Sequence, residues 1–168
     1  MEVLNNVFNN KDLRSIYEKI RQPKWKYGHG SDNINPLGVP FWIMNFDDDP
    51  FFSKYLLNII KTKVNEPGLI LEHVYANGHV FGDKATPHVD SNSQDGRTFL
   101  FYANDTWNPL WGGSTVFNMG NGQYAYMKPE PNKAVYFPGM IQHHAEEVSR
   151  MYTGLRVTIA WKLNGAQH

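Results

Sequence analysis

The sequence predicts a mainly β fold: a jelly roll, or double-stranded β-helix, with N-terminal helices packed on one of its sheets. From Leu69 onward the chain breaks into short apolar or alternating runs bounded by Gly, Asn, Asp and Pro, the pattern of many short strands. Helical periodicity is confined to the stretch before it. An aromatic content of 14%, including 5 Trp, suits a small core shared by two sheets. The 168 residues are read as one domain, 1–168, with a helical part over about 1–66 and a jelly-roll core over about 69–163.

The first helix follows "NN" at Lys11 and runs to about Ile20, with Leu13, Ile16, Tyr17 and Ile20 at helical spacing and Pro23 beyond its end. "YGHGSDNINPLGVP" reads as a long surface loop. A second helix starts after "DDDP", whose acidic residues suit a helix N-terminus, and Phe52, Tyr55, Leu56, Ile59 and Ile60 supply its apolar face. "LILEHVYA", "RTFLFYA", "GSTVFNM", "QYAYMK", "NKAVYFP", "HHAEEV" and "LRVTIAWKL" then read as strands. Gly112-Gly113 reads as a turn that needs positive φ or close backbone approach.

Composition removes several function classes. Lys plus Arg equals Asp plus Glu, 16 each, so no overall charge argues for nucleic acid or an anionic membrane. With no cysteine, thiolate nucleophiles, zinc–thiolate sites and iron–sulfur clusters drop out, and any metal must be held by nitrogen and oxygen. No signal peptide and no membrane span is read, so the expected location is cytoplasmic.

"TPHVDSNSQDG" places His88 and Asp90 at i and i+2, on one side of an extended segment and within reach of one ion. Val89 between them should then point away, into packing. Iron(II) in oxygen-activating enzymes is held by two histidines and one carboxylate with the other positions open. The third ligand is His143 or His144 in "FPGMIQHHAEEV"; neighbours on a strand face opposite ways, and spacing alone leaves the choice open. In "LRVTIAW", Arg156 interrupts an apolar strand, which is costly unless the guanidinium meets an anion, and Thr158 shares its face. A facial metal site beside a carboxylate clamp is what a 2-oxoglutarate-dependent oxygenase requires.

From about Leu69 to Leu163 the chain resembles the prolyl 4-hydroxylase-like iron(II)/2-oxoglutarate dioxygenases. The resemblance is carried by "VYANGHVFGDKATPHVD", "GRTFLFYANDTWNPLWGGSTVF", "KAVYFPGMIQHHAEEV" and "GLRVTIAWKL", in that order. It implies His88, Asp90 and His143 as metal ligands, with His144 the minority choice. It implies Arg156, Thr158 and Tyr102 around the far carboxylate of 2-oxoglutarate, with Arg150 the rival cation. Tyr75, Trp107 and Trp161 are candidate walls of the substrate pocket, and His29, His73, His79 and His168 are read as structural or exposed. The implied cofactors are Fe(II), 2-oxoglutarate and O2, with ascorbate in a supporting role. The implied partner is a proline-containing peptide or protein, with the 28–40 loop as a lid and the polar run after Asp90 as a mobile loop; a free amino acid or other small molecule is the alternative substrate.

Two other readings of the fold fit the sequence less well. A non-catalytic carbohydrate-binding jelly roll would use the Trp-rich surface, but it leaves Arg156 and the distal histidine unexplained. A cupin-type metal isomerase would show His-x-His followed closely by Glu, and that triplet does not occur.

Overall fold

Strand alternation sets the architecture, because each strand of the larger sheet sends one set of side chains to the helices and the other to the second sheet. The computed structural model describes residues 1–30 and 39–165. In chain order it contains β1 (Glu2–Asn5), α1 (Asn10–Ile20), β2 (Lys26–His29) and β3 (Phe41–Asn45). A wide helical turn, Phe51–Leu56, runs into α2 (Leu57–Lys63), followed by β4 (Ile70–His79) and β5 (Gly96–Tyr102). A short turn at Pro109–Trp111 precedes β6 (Thr115–Gly120), β7 (Gln123–Met127), β8 (Lys133–Pro138), β9 (His143–Ala145) and β10 (Arg156–Asn164). The larger sheet has the order β1-β8-β5-β10-β4-β3-β2 and the smaller one β7-β6-β9; all their strand pairs are antiparallel. This is the double-stranded β-helix expected from the sequence.

The stretch before Leu69 is less helical than expected, since it also supplies three strands of the larger sheet. β1 pairs with β8 from Glu2↔Tyr136 to Asn5↔Lys133, and β2 and β3 extend the other edge beyond β4. These are strands of four or five residues, too short to show a clear alternation, so periodicity gives them little signal. The expected loop from Tyr27 therefore begins inside β2. The remainder of the proposed lid, at 31–38, lies outside the described residues, as does His168. In "HHAEEV" only His143–Ala145 is strand.

The helices form where their caps and apolar faces dictate. Asn9 caps α1 by accepting hydrogen bonds from the backbone N–H groups of Lys11 and Asp12. Asp49 of "DDDP" accepts from Phe51 N at 3.0 Å and pairs with Lys19 at 2.6 Å, joining the two helical segments. Phe52, Leu56 and Ile60 are completely buried against Val74, Phe99, Ile159 and Trp161 of the larger sheet. A smaller cluster of Leu100, Tyr102, Phe117, Val135, Phe137 and Ala160 fills the space between the sheets. Among the described residues no helix is long and apolar enough to cross a membrane.

Trp161 belongs to the helix-side core, not to a substrate pocket. β10 sends Val157, Ile159, Trp161 and Leu163 toward the helices, so odd and even positions serve different layers. The Trp161 indole is fully buried and donates through Nε1 to the Phe52 carbonyl at 3.1 Å. Trp161→Ala is expected to cost about 3–5 kcal/mol through lost burial and the cavity left behind. Urea denaturation of the metal-free chain checks this; a cost near zero would remove Trp161 from the core.

Candidate active site

Two backbone bonds bring the metal-capable residues together. His88 N donates to the His143 carbonyl at 3.0 Å, and His143 N donates to the His88 carbonyl at 2.9 Å. Asp90 N donates to the Gly139 carbonyl at 2.8 Å, so the His-x-Asp segment lies antiparallel to the approach to β9. One ligand atom from each of His88, Asp90 and His143 lies within 4.8 Å of the others. The Nε2 atoms of His88 and His143 sit 3.5 Å from Asp90 Oδ1 and Oδ2 respectively. His143 is buried, whereas its neighbour His144 is half-buried and outside this group.

The second ring nitrogens are already committed. His88 Nδ1 lies 2.9 Å from the Thr86 carbonyl and His143 Nδ1 2.9 Å from the Ile141 carbonyl. A carbonyl only accepts, so each Nδ1 carries the proton and each Nε2 offers a lone pair to the centre of the group. Two imidazoles and one carboxylate, with no sulfur, fit a divalent iron-type ion. Burial holds His143 down to about pKa 4, with Asp90 opposing, so at neutral pH no proton need be displaced before the nitrogen can bind. Burial alone would raise the Asp90 carboxyl. The Lys162 ammonium beside it outweighs this and keeps Asp90 below the ordinary carboxylate range.

Val89 does not pack inward as expected; it is exposed at the cavity rim. Nor is the polar run after Asp90 a free loop. Ser91 N donates to Gly139 O, Ser93 N and Asp95 N donate to the serine hydroxyls two residues back, and Gly165 N donates to Asp95 O. Nested polar turns hold it without any apolar anchor.

The triad opens onto a cavity of about 290 Å³ between the sheets. At one end lies Arg156, 1% exposed, with Thr158 beside it. Arg156 Nε donates to Gly113 O at 2.6 Å and Nη2 to Thr115 Oγ1 at 3.1 Å, and no carboxylate pairs with it among the described residues. Burial lowers the guanidinium pKa and the neighbouring Tyr102 opposes this. Gly113, at φ 70°, is needed here: a Cβ would stand 2.9 Å from Arg156 Cδ. A buried, fork-shaped cation without an anion is the arrangement that a carboxylate ligand completes.

Several expected site residues lie elsewhere. Tyr102 is not on the cavity wall; its hydroxyl, kept protonated by burial that pushes the pKa up to about 12, donates to Thr115 Oγ1 at 2.9 Å. Thr115 is the hydroxyl that faces the cavity, with Tyr102 behind it. Trp107 packs edge-on to Trp111 and Tyr152 and donates to Gly112 O at 3.2 Å, also off the cavity wall. Arg150 is exposed over the Phe81 ring, 4.9 Å from its centroid. Tyr75 does line the cavity, and so do His29, His73 and His79.

Two side chains that bear on the site are absent from the residues read in the sequence. Lys162 ion-pairs with Asp90 Oδ2, and Thr98 Oγ1 donates to the same oxygen at 2.6 Å. Lys162 could have been found by continuing the alternation Arg156, Thr158, Ala160, Lys162 along β10; all four line the cavity. His79, cross-strand from Arg156, is 3% exposed and has no hydrogen-bond partner for either ring nitrogen among the described residues. Burial, then Arg156, hold its pKa down to about 3. The unfolded chain takes up this proton near pH 6.5 while the folded chain resists it, so stability should rise with pH between about 3 and 6.5. His79→Phe should flatten that slope in chemical denaturation at a series of pH values; an unchanged slope would mean His79 is hydrated in solution.

Residues 73–161 match the family model described as 2OG-Fe(II) oxygenase superfamily. No curated protein matches the chain. Among solved structures, a prolyl hydroxylase from Trichoplax adhaerens, in complex with a hypoxia inducible factor oxygen degradation domain peptide, aligns with TM-score 0.75 at 15% identity, covering 97% of this chain and 82% of that one. A Pseudomonas putida prolyl-4-hydroxylase aligns with TM-score 0.70 at 13% identity, covering 97% and 91%. HygX from Streptomyces hygroscopicus, with nickel, 2-oxoglutarate and hygromycin B bound, aligns with TM-score 0.69 at 12% identity, covering 98% and 82%. At these identities the structures share the fold.

Proposed function

Because the chain belongs to the 2OG-Fe(II) oxygenase superfamily, we propose that it hydroxylates a C–H bond of proline in a peptide, coupled to decarboxylation of 2-oxoglutarate. One O2 is consumed: one oxygen atom enters the substrate as hydroxyl, the other enters succinate, and CO2 is released. His88, Asp90 and His143 would hold the Fe(II), which when bound supplies the activation of O2 that no side chain can perform. The observation that carries the reading is the convergence of this His-Asp-His group and the anion-free Arg156 on one cavity.

The protein's own part is binding and orientation. The Thr86 and Ile141 carbonyls fix the tautomer and plane of the two histidines. Thr98 and Lys162 hold Asp90 Oδ2 and so set the carboxylate plane. Arg156 takes the far carboxylate of 2-oxoglutarate as a permanently charged donor fork, with Thr115 and Thr158 adding hydroxyls beside it. Tyr102 acts one layer back, by orienting Thr115.

Proline as substrate draws support from the two prolyl hydroxylases of the same fold, one of them bound to a peptide. A second reading, a free amino acid or other small molecule, is favoured by Lys162, which puts a cation where a neutral peptide has nothing to offer it. Incubation with proline-rich peptides, Fe(II), 2-oxoglutarate and O2 should yield succinate and a peptide heavier by one oxygen in mass spectrometry. Turnover of free proline without peptide turnover would replace the peptide reading, and no succinate with any of them would count against proline altogether.

A further inference from the structure

We propose that Lys162 selects the substrate: it binds a carboxylate that the substrate carries close to the carbon that is hydroxylated. The inference rests on the oxygenase reading above and adds the chemical class of the substrate. Lys162 lies on the cavity face of β10, and its side chain is only 14% exposed. The ammonium contacts Asp90 Oδ2 and sits 5.9 Å from the centroid of the Tyr75 ring. An ammonium has three N–H donors, and Asp90 is its one acidic partner among the described residues. Glu72, at the rim, is exposed and accepts from Asn164 at 3.2 Å.

Charge then decides the matter. Of the two acids that line the cavity, Glu72 is exposed at the rim and Asp90 alone has a buried side chain, which would serve both the metal and Lys162. Among the buried groups, with a divalent ion and doubly charged 2-oxoglutarate in place, the positive charges of metal, Arg156 and Lys162 exceed the negative ones by a single unit, Glu72 being exposed to solvent at the rim. A low-dielectric cavity does not leave a cation uncompensated, and a substrate with one carboxylate supplies the missing charge. Six residues of extended strand, about 20 Å between Cα atoms, separate Lys162 from Arg156. Lys162 therefore lies at the triad itself, in contact with Asp90, while Arg156 lies six strand positions away, so the side of the triad left to the substrate is that of Lys162. The carboxylate can belong to the hydroxylated unit itself, as a free acid or chain terminus, or to an acidic side chain next to it in a peptide.

The test uses the full chain loaded with Mn(II) and 2-oxoglutarate under argon, so that binding is read by calorimetry without turnover. Two pairs of probes differ only in charge: N-acetylproline against N-acetylprolinamide, and acetyl-Pro-Glu-amide against acetyl-Pro-Gln-amide. In at least one pair the acid should bind about tenfold tighter than its amide, or more. Preference in the first pair assigns the carboxylate to the hydroxylated unit, and preference in the second to a neighbouring acidic residue. Lys162→Met at saturating metal should bring the ratio close to one, while Lys162→Arg retains it. Equal binding within both pairs, no binding of any probe, or a preference that survives in Lys162→Met overturns the proposal. So does a tenfold loss of 2-oxoglutarate affinity in Lys162→Met, which would make the lysine a cosubstrate contact. Failure of 2-oxoglutarate to bind the Mn(II)-loaded chain at all would instead remove the oxygenase reading, and this inference with it.

Discussion

His143→Ala is expected to reduce succinate formation by about three orders of magnitude or more, while His144→Ala retains activity within about threefold. The asymmetry follows from β9. His143 faces the cavity, its Nδ1 tied to Ile141 O and its ring 4.5 Å from that of His88. His144 pairs with Val116 across the smaller sheet and points the other way. Both substitutions remove an imidazole from the same short strand, so the comparison controls for damage to the fold. Metal content after dialysis against Fe(II) should fall in the first variant only. Loss in both, or in His144→Ala alone, would move the third ligand.

Arg156→Met should raise the KM for 2-oxoglutarate about a hundredfold or more. The same change should leave the stability of the ligand-free chain unchanged or higher, because a buried guanidinium without an anion is replaced by an apolar side chain of similar length. Opposite signs for affinity and stability set a ligand-binding cation apart from a structural one. Arg156→Lys keeps the charge but loses the fork, and should fall between. Equal loss of stability and cosubstrate affinity would mean that the contacts to Gly113 and Thr115 are what the residue is for. Arg150→Met, at the exposed position over Phe81, should leave 2-oxoglutarate binding unchanged.

What could be read from the chain itself follows physical range. Period-two alternation is local, and it places Arg156 and Thr158 on one face of β10 from the sequence alone. The same period puts Lys162 on that face and Trp161 on the other, so taking Trp161 as a pocket wall breaks the rule that Arg156 obeys. His88 and Asp90 share a side because they are two residues apart, but the choice of His143 needs the backbone bonds that join it to His88 from a distant part of the chain. Tyr102 and Thr115 exchange places in the same way: nothing local says that Thr115, not the tyrosine bonded to it, reaches the cavity. The strands β1, β2 and β3 are only four or five residues long, so they leave almost no periodic trace. Polar turns after Asp90 look mobile in a sequence because their anchors, Gly139 and Gly165, are distant in it.

The proposed function requires His88, Asp90 and His143 to form one iron site that shares its cavity with 2-oxoglutarate. Anaerobic titration of the chain with Fe(II) and then 2-oxoglutarate, followed by visible absorption, tests it most directly. A broad charge-transfer band should develop only when both are present and should be missing in His143→Ala. No band, with neither Fe(II) nor 2-oxoglutarate retained by the wild-type chain, would mean that these residues do not form that site.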